Sequence, residues 1–290
     1  MSESPLHVTE LRVTELRVHP VKSMAGRTVP RAAVQPRGLV DDRSWMVTDS
    51  AGRMVTARTL HSLVSLEADT PATDPSLDRS LRLRAPGLGE HLVDEPDGPE
   101  SEVELFGHAL TGVPADEETQ TWLRRALGQQ DLHLVWCARP DRRHLDPAYT
   151  RTGDHTAYAD AYPVTVVSEE SLTQLNDWIT EGALERGEDP PAPLGMERFR
   201  PNVVVSGAGA FAEDDWHRIQ VGEVTLRLVK PSPRCVLTTI DHQTLRTGKE
   251  PIRTLARHRR DRAHGVVFAV NAVPEGSGPI ALGDPVRVLD

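Results

Sequence analysis

The segment Lys230-Pro-Ser-Pro-Arg-Cys-Val-Leu-Thr-Thr-Ile-Asp241 joins a stiff turn, a cysteine and an apolar run. Its two prolines restrict the backbone and lack an N–H donor, so residues 231–233 are not expected inside a paired central strand. The β-branched run that follows predicts a strand over residues 236–240. The thiol of Cys235 would therefore be held on a rigid support, and the positive charge of Arg234 beside it favours the thiolate form.

Two interpretations of Cys235 follow from these residues. A free cysteine most often behaves as a small buried hydrophobe, whereas a thiolate beside a cation serves as a nucleophile or a metal ligand. The second cysteine, Cys137, ends the apolar run Leu132-His-Leu-Val-Trp136, and there we expect a core position. Two cysteines in 290 residues exclude a disulfide framework and any multi-cysteine zinc or iron–sulfur site.

The composition is that of an ordinary globular chain, with 38% hydrophobic and 26% charged residues. Its net charge of −10 disfavours broad binding to nucleic acid or to acidic membranes. No stretch approaches the ~20 apolar residues of a membrane helix, and the N-terminus lacks the features of a signal peptide. We therefore expect a cytoplasmic protein with neither a nucleic-acid partner nor a membrane partner.

Short alternating segments, closely spaced by turns, run through the whole chain and predict strands. They lie at residues 14–18, 28–35, 44–49, 53–56, 63–68, 81–84, 102–105, 109–113, 164–167, 202–206, 219–221, 224–229, 266–273 and 285–289. Helix signals occur over residues 116–127, from Ser168 to Gly182, and over 251–258. This pattern predicts a β-rich α+β protein, a barrel or curled sheet with helices outside it.

Two segments rich in proline, glycine and charge predict loops, residues 86–100 and 139–158. We expect the second loop to cross a site or to link two halves of the molecule. Phosphate-binding glycine loops, a nucleophile elbow and a zinc-binding H-E-x-x-H are all missing from the sequence. The glycines at 207 and 209 precede the acidic run Glu213-Asp-Asp215, which would repel a phosphate. The sequence therefore lacks the signatures of P-loop and dinucleotide-binding enzymes, of α/β-hydrolases and of H-E-x-x-H metalloproteases.

Cationic and hydroxyl residues stand instead at the ends of predicted strands. They are Lys22 and Ser23 after a Pro-Val turn, Arg43, and Arg200. Each alone is typical of a solvated surface charge. Brought together with Cys235, they would form an anion-binding pocket that carries a thiolate, because lysine and arginine are natural partners of phosphate.

Six ordered blocks of sequence resemble the MOSC family, named after the C-terminal domain of molybdenum cofactor sulfurase. The blocks are Pro20–Ser23, Arg43–Trp45, Met54–Arg58, Phe199–Asn202, Ala212–Trp216 and Arg234–Thr239. Their order is similar to that of the two-domain branch that contains the mitochondrial amidoxime-reducing component and its bacterial relatives. The resemblance extends from about Leu11 to the C-terminus. It implies an N-terminal MOSC-associated β-barrel domain over residues 6–130 and a cofactor-bearing MOSC β-barrel domain with peripheral helices over 131–290.

The resemblance also implies a molybdenum–molybdopterin cofactor, with Cys235 as the thiolate ligand of the metal and as the catalytic residue. The family positions that hold the pterin and its phosphate fall on Lys22, Ser23, Arg43 and Arg200. Arg234 would contribute to cofactor binding, and Asn202 and Asp241 would support the groups that contact the cofactor. A soft, deprotonated thiolate suits a metal that is already bound by sulfur. This chain departs from many relatives at Pro233, where they carry serine.

The implied activity is the molybdenum-dependent reduction of N-hydroxylated or N-oxide substrates. Electrons would come from a separate protein, a ferredoxin- or flavin-type reductase, because the chain lacks the cysteines of an iron–sulfur domain. Two alternatives remain open at this point. The protein could carry the molybdenum cofactor without turnover, or it could transfer sulfur held as a persulfide on Cys235.

Overall fold

The computed structural model describes residues 10–290, and within this range twenty β-strands and three α-helices form the regular structure. The strands are β1 (Arg12–Val18), β2 (Arg27–Thr28), β3 (Arg31–Gln35), β4 (Gly38–Leu39), β5 (Trp45–Thr48), β6 (Met54–Val55), β7 (Glu67–Asp69), β8 (Leu81–Ala85), β9 (Gly89–Val93), β10 (Ser101–Leu105), β11 (His108–Pro114), β12 (His133–Trp136), β13 (Val164–Ser168), β14 (Val203–Ser206), β15 (Arg218–Val221), β16 (Val224–Pro233), β17 (Arg260–Asp261), β18 (Gly265–Pro274), β19 (Gly278–Ala281) and β20 (Val286–Val288). The helices are α1 (Glu117–Leu127), α2 (Glu169–Glu185) and α3 (Ile252–His258). No helix within residues 10–290 is both long enough and apolar enough to cross a membrane.

A nine-stranded sheet dominates the second half of the molecule. Its order is β2-β1-β14-β13-β18-β16-β15-β20, with β17 paired to β18. All neighbours are antiparallel except β13 and β14, which α2 connects as a crossover unit. The alternating side chains of these strands bury one face against the small sheet β19-β3-β4, in a core of valine, leucine and isoleucine.

A second, five-stranded sheet forms the first half, in the order β10-β11-β12-β5-β6. It shares a separate core with the sheet β7-β8-β9 and with α1. The strands predicted over residues 44–49 and 53–56 are present as β5 and β6, which pair as an antiparallel hairpin. The β-rich α+β architecture predicted from the strand pattern is present, and the helices pack on the outside of the sheets.

Strand pairing crosses the predicted domain boundary at residue 131 in both directions. From the first segment of the chain, β1 pairs with β14 and β3 pairs with β19. From beyond the boundary, β12 returns to pair with β5. The boundary itself stays a prediction, and residues 6–9 of the predicted first domain lie outside the described residues. The two halves are thus tied together by exchanged strands.

The helix predicted over residues 116–127 is confirmed as α1. The Asp116 carboxylate accepts a hydrogen bond from the Thr119 N–H at 2.7 Å, and Gly128 ends the helix with a left-handed φ of 65°. Ser168 caps α2 as expected, but the helix continues through Gly182 to Glu185. The prediction that Gly182 ends it was wrong, since the buried stripe extends to Ala183 and packing outweighs the low helix propensity of glycine.

The capping bond of α1 gives a stability prediction. Asp116→Ala removes the acceptor for the Thr119 N–H, so we expect the free energy of unfolding to fall by about 1 kcal/mol. Urea denaturation measures this loss. Glu118→Ala, also in the exposed first turn of the helix, is the matched control, and an equal loss in both variants would show that the cap contributes nothing specific.

Several local predictions were wrong. Residues 236–239 form a 3₁₀ turn instead of a strand, and residues 231–233 end β16 in a pairing with β18. The prolines are tolerated there because β15 pairs only with the first part of β16, and because register shifts occur on both sides of Pro231. Residues 61–65 form a 3₁₀ turn before β7, and β9 and β19 were not predicted as strands.

Candidate functional site

A cavity of about 390 Å³ opens between the two halves of the molecule. We call it the thiol cavity. Residues that were distant in sequence meet in its wall, namely Lys22, Ser23, Arg43, Arg58, Phe106, Asp160, Arg198, Arg200, Arg234 and Cys235. Six of these side chains are cationic and one is a carboxylate. The lining is therefore positive although the chain as a whole carries a net charge of −10.

Cys235 follows the end of β16 and begins the 3₁₀ turn Val236–Thr239 with an extended backbone. Its carbonyl accepts hydrogen bonds from the Thr238 N–H at 3.2 Å and from the Thr238 hydroxyl at 3.0 Å, which fix the turn. The half-buried thiol receives a hydrogen bond from Arg58 Nε at 3.3 Å. A guanidinium in this position stabilises a sulfur atom that carries negative charge. Cys137, by contrast, is buried as predicted, and burial raises the pKa of its thiol to about 11.

Arg234 does not play the part expected of the cation beside the thiol. Its Nε donates to the Phe268 carbonyl at 2.7 Å, and its Nη1 donates to the Phe199 carbonyl at 3.0 Å. The hydrogen-bond donor to the sulfur is Arg58, which comes from the other half of the molecule. Arg234 therefore anchors the turn to the sheet beneath it.

Asp160 connects Lys22 to Arg58. Lys22 Nζ forms an ion pair with Asp160 and donates to the Tyr158 carbonyl at 3.0 Å, while Arg58 Nη2 donates to Asp160 at 3.1 Å. Both cations also lie over the Phe106 ring, at 5.0 and 4.8 Å from its centroid. Lys22, Asp160, Arg58 and Cys235 thus form a continuous chain of contacts across the cavity wall.

Burial lowers the pKa values of three basic side chains in the cavity wall. It lowers the pKa of Lys22 to about 8, of Arg200 to about 9 and of Arg234 to about 10. Surrounding protein would raise the pKa of Asp160, but the Lys22 and Arg58 charges hold it below its usual range. An anion entering the cavity would raise these pKa values again, because its negative charge stabilises the protonated lysine and arginine side chains.

Two guanidinium nitrogens support the same conclusion. Within residues 10–290, the buried Nη2 atoms of Arg200 and Arg234 have no hydrogen-bond partner. The other terminal nitrogen of Arg200, Nη1, donates a hydrogen bond to the Met24 carbonyl at 2.5 Å, and this bond fixes the orientation of the guanidinium group. Unpartnered buried donors are costly and are expected where a ligand supplies the acceptors. The site thus fits an anionic group such as a phosphate.

Strained backbone surrounds this cavity. Four lining residues other than glycine have φ in the left-handed region, at 69° for Ser23, 47° for Arg43, 51° for Phe106 and 52° for Arg200. Each such conformation costs of the order of 1 kcal/mol and persists only where neighbouring structure enforces it. Their concentration at one cavity is typical of a functional site.

The structure brings Lys22, Ser23, Arg43, Arg200, Arg234 and Cys235 to one cavity. Asn202 lies behind it instead. Its carbonyl oxygen accepts from Arg43 Nη1 and from the Thr165 N–H, both at 3.1 Å, and its amide donates to the Arg17 carbonyl. Asn202 therefore orients Arg43. Asp241 is also outside the cavity, where it stabilises a turn and pairs with Arg198 at 2.9 Å.

Sequence reasoning assigned no role to Arg58, Phe106 or Asp160. Arg58 closes one of the six blocks, but nothing in the block indicates that its side chain reaches across to the second half. Asp160 lies just beyond the loop predicted over residues 139–158, and residues 159–162, which follow that loop, line the thiol cavity. Arg143 holds that loop through bonds to the carbonyls of Ala157 and Asp160.

Metal binding here would rest on the thiol. Within residues 10–290, no group of three or more histidine, cysteine or acidic side chains is placed to hold a metal ion. A single cysteine ligand suits a metal that enters with other ligands on a chelating cofactor. The cationic lining suits the anionic tail of such a cofactor.

Comparison with known proteins agrees with this architecture. The family model of the MOSC N-terminal beta barrel domain matches residues 10–130, and that of the MOSC domain matches residues 153–287. Mitochondrial amidoxime-reducing component 1 of mouse and of human are each 32% identical over 96% of this chain and 82% of their own length. Molybdenum cofactor sulfurase of rice is 26% identical over 97% of this chain and 35% of its own length. The chain therefore belongs to the MOSC family, with a MOSC N-terminal β-barrel domain followed by a MOSC domain.

Proposed function

We propose that this protein is a molybdenum-cofactor-dependent oxidoreductase that reduces N-hydroxylated or N-oxide substrates. The observation that carries the proposal is the half-buried thiol of Cys235, which lines a positively charged cavity 3.3 Å from Arg58 Nε. The relatives at 32% identity are named amidoxime-reducing components, and amidoximes contain an N-hydroxyl group. Thiol, cations and family point to the same class of reaction.

The residues of the cavity fit the cofactor. Cys235 would supply the protein ligand to the metal, and Lys22, Ser23, Arg200 and Arg234 would hold the pterin and its phosphate. The Nη2 atoms of Arg200 and Arg234, which have no hydrogen-bond partner among residues 10–290, would donate to that phosphate. When bound, the cofactor supplies the two-electron chemistry that removes oxygen from the substrate.

The protein would contribute orientation and charge. Arg58 would donate a hydrogen bond to the sulfur of Cys235, and Asp160 would hold Arg58 in place. Asn202 would fix Arg43 at the edge of the cavity. Conversion of an N-hydroxyl group to N–H consumes two electrons and two protons and releases water. A separate ferredoxin- or flavin-type electron donor and a cytoplasmic location stay predictions.

Two other functions fit the same cavity. A carrier would bind the cofactor without turning over substrate, and a sulfur-transfer protein would hold a persulfide on Cys235. The similarity to rice molybdenum cofactor sulfurase supports sulfur transfer as a candidate function. The multiple cations favour a ligand with an anionic tail over a bare persulfide, because sulfur transfer requires only the thiol and one stabilising charge.

The test is made on protein purified from a host that synthesises the molybdenum cofactor. We expect near-stoichiometric molybdenum and pterin, and reduction of benzamidoxime to benzamidine with a chemically reduced viologen as donor. Bound cofactor that is released to an acceptor protein without turnover would identify a carrier. Sulfane sulfur on Cys235 without metal would identify a sulfur-transfer protein, and either result would overturn the proposed activity.

A further inference from the structure

A second cavity, of about 630 Å³, adjoins the thiol cavity. Phe106, Asp160, Ala161 and Tyr162 line both cavities, so the two spaces meet along a shared wall. Residues 142–147, from the loop predicted over residues 139–158, and Lys230 of β16 also line the second cavity. We call this space the lysine cavity. A molecule that reaches Cys235 can therefore extend into it.

Lys230 is held in an unusual environment. Its Nζ lies 4.4 Å from the centroid of the Tyr149 ring and 6.0 Å from that of Tyr162. Among the ion pairs formed within residues 10–290, Lys22 has a carboxylate partner and Lys230 has none. Two aromatic rings position the ammonium group and leave its charge available to an incoming anion.

The two arginines that line the lysine cavity are already engaged. Arg142 pairs with Glu100 at 2.8 Å, and Arg143 donates to backbone carbonyls. Asp160 is neutralised by Lys22 and Arg58. Asp146 accepts a hydrogen bond from the Ala148 N–H at 3.0 Å and shapes the loop. Among the lysine and arginine side chains of this cavity, Lys230 is thus the one with neither a carboxylate nor a carbonyl partner within residues 10–290.

Lys230 and Cys235 lie on one continuous segment. An extended strand advances about 3.3 Å per residue, so the five intervening steps span at most roughly 17 Å between Cα atoms. The register shifts of β16 shorten this distance. One small molecule can therefore place a reducible group near Cys235 and an acidic group at Lys230.

We propose that the lysine cavity is a substrate subsite in which Lys230 binds a carboxylate. On this basis the preferred substrates are N-hydroxylated or N-oxide compounds that carry a carboxylate away from the reducible nitrogen. The inference rests on the proposed reductase function for the identity of the substrate. The subsite itself rests on the adjoining cavities and on the position of Lys230, which has no carboxylate partner within residues 10–290.

The experiment compares 4-carboxybenzamidoxime with its uncharged carboxamide analogue. Binding to the cofactor-loaded protein is measured by calorimetry without electron donor, and turnover is measured separately. We expect wild type to bind the carboxylate more tightly, and Lys230→Gln to weaken that binding about tenfold while leaving the carboxamide unchanged. Lys230→Arg should retain most of the preference, and Lys249→Gln, at an exposed lysine elsewhere, should change neither affinity.

Equal affinity of wild type for the two compounds would overturn the subsite. An equal loss of both affinities in Lys230→Gln, with unchanged thermal stability, would also overturn it, because lost packing alone would then explain the effect. The two proposals fail separately. Reduction of both amidoximes without a carboxylate preference removes the subsite alone, whereas a Lys230-dependent preference in binding without turnover removes the reductase function alone.

Discussion

Cys235→Ser is expected to yield folded protein with at least about tenfold less molybdenum and pterin than wild type. Serine is a harder ligand, and its hydroxyl stays protonated at neutral pH, so it cannot replace a thiolate on a metal bound by sulfur. The change is nearly isosteric, and the turn at Cys235 is fixed by its backbone carbonyl, which serine retains. The measurement is elemental analysis together with fluorescence of the oxidised pterin.

The matched control is Cys137→Ala. Cys137 is buried, and burial raises the pKa of its thiol, so it has no access to a cofactor. Alanine avoids placing a hydroxyl in the core. We expect the control to retain molybdenum despite a modest loss of stability. Full molybdenum content in Cys235→Ser, or equal losses in both variants, would contradict the ligand assignment.

Asp160→Asn is expected to lower kcat roughly 10–100-fold while molybdenum remains bound, since a displaced positioning group has effects of this size. The substitution removes the negative charge shared by Lys22 and Arg58, and Arg58 then loses the partner that holds it against Cys235. Cofactor content, kcat and KM are measured on the same preparation. A loss confined to KM would contradict a role in positioning Arg58.

The same variant should also be less stable. The Lys22 side chain is 3% exposed, so without Asp160 a buried ammonium group remains. A fully enclosed pair would cost about 3–5 kcal/mol to break, but the Asp160 side chain is 62% open to the cavity, and we expect about 1–3 kcal/mol. Asp141→Asn, at an exposed acid in the preceding loop, should change stability by less than about 0.5 kcal/mol.

The local sequence predicted elements well where a single pattern dominated. Asp116 and Gly128 mark the two ends of α1, and the alternating runs that became β13 and β14 were found. Prediction from local sequence failed where strand pairing in the tertiary structure outweighed the local secondary-structure propensity. The apolar run after Cys235 became a 3₁₀ turn, and the prolines before it remained in β16, because only β18 pairs with that end of the strand.

The residues around Cys235 predicted only part of its environment. A lone cysteine next to prolines and an arginine supports both a buried and a reactive interpretation, and only the ordered blocks favoured the second. Because Arg234 is adjacent to Cys235 in sequence, we expected Arg234 to be the cation beside the thiol. The structure places Arg58 there instead, because residues of opposite halves converge on the cavity while Arg234 is drawn to the carbonyls beneath it.

By itself, the sequence determined the β-rich composition of the fold, the capped helix α1, the core position of Cys137 and most of the cationic residues of the site. These properties follow from residue type and short-range periodicity, which do not depend on distant partners. Only the tertiary structure decided that Arg58 and Asp160 adjoin Cys235 and that Asn202 lies behind Arg43. It also decided that Lys230 packs against two tyrosine rings and has no carboxylate partner in the described part of the chain. Such contacts depend on strands exchanged between the two halves, whose pairing is set by the complete packed fold.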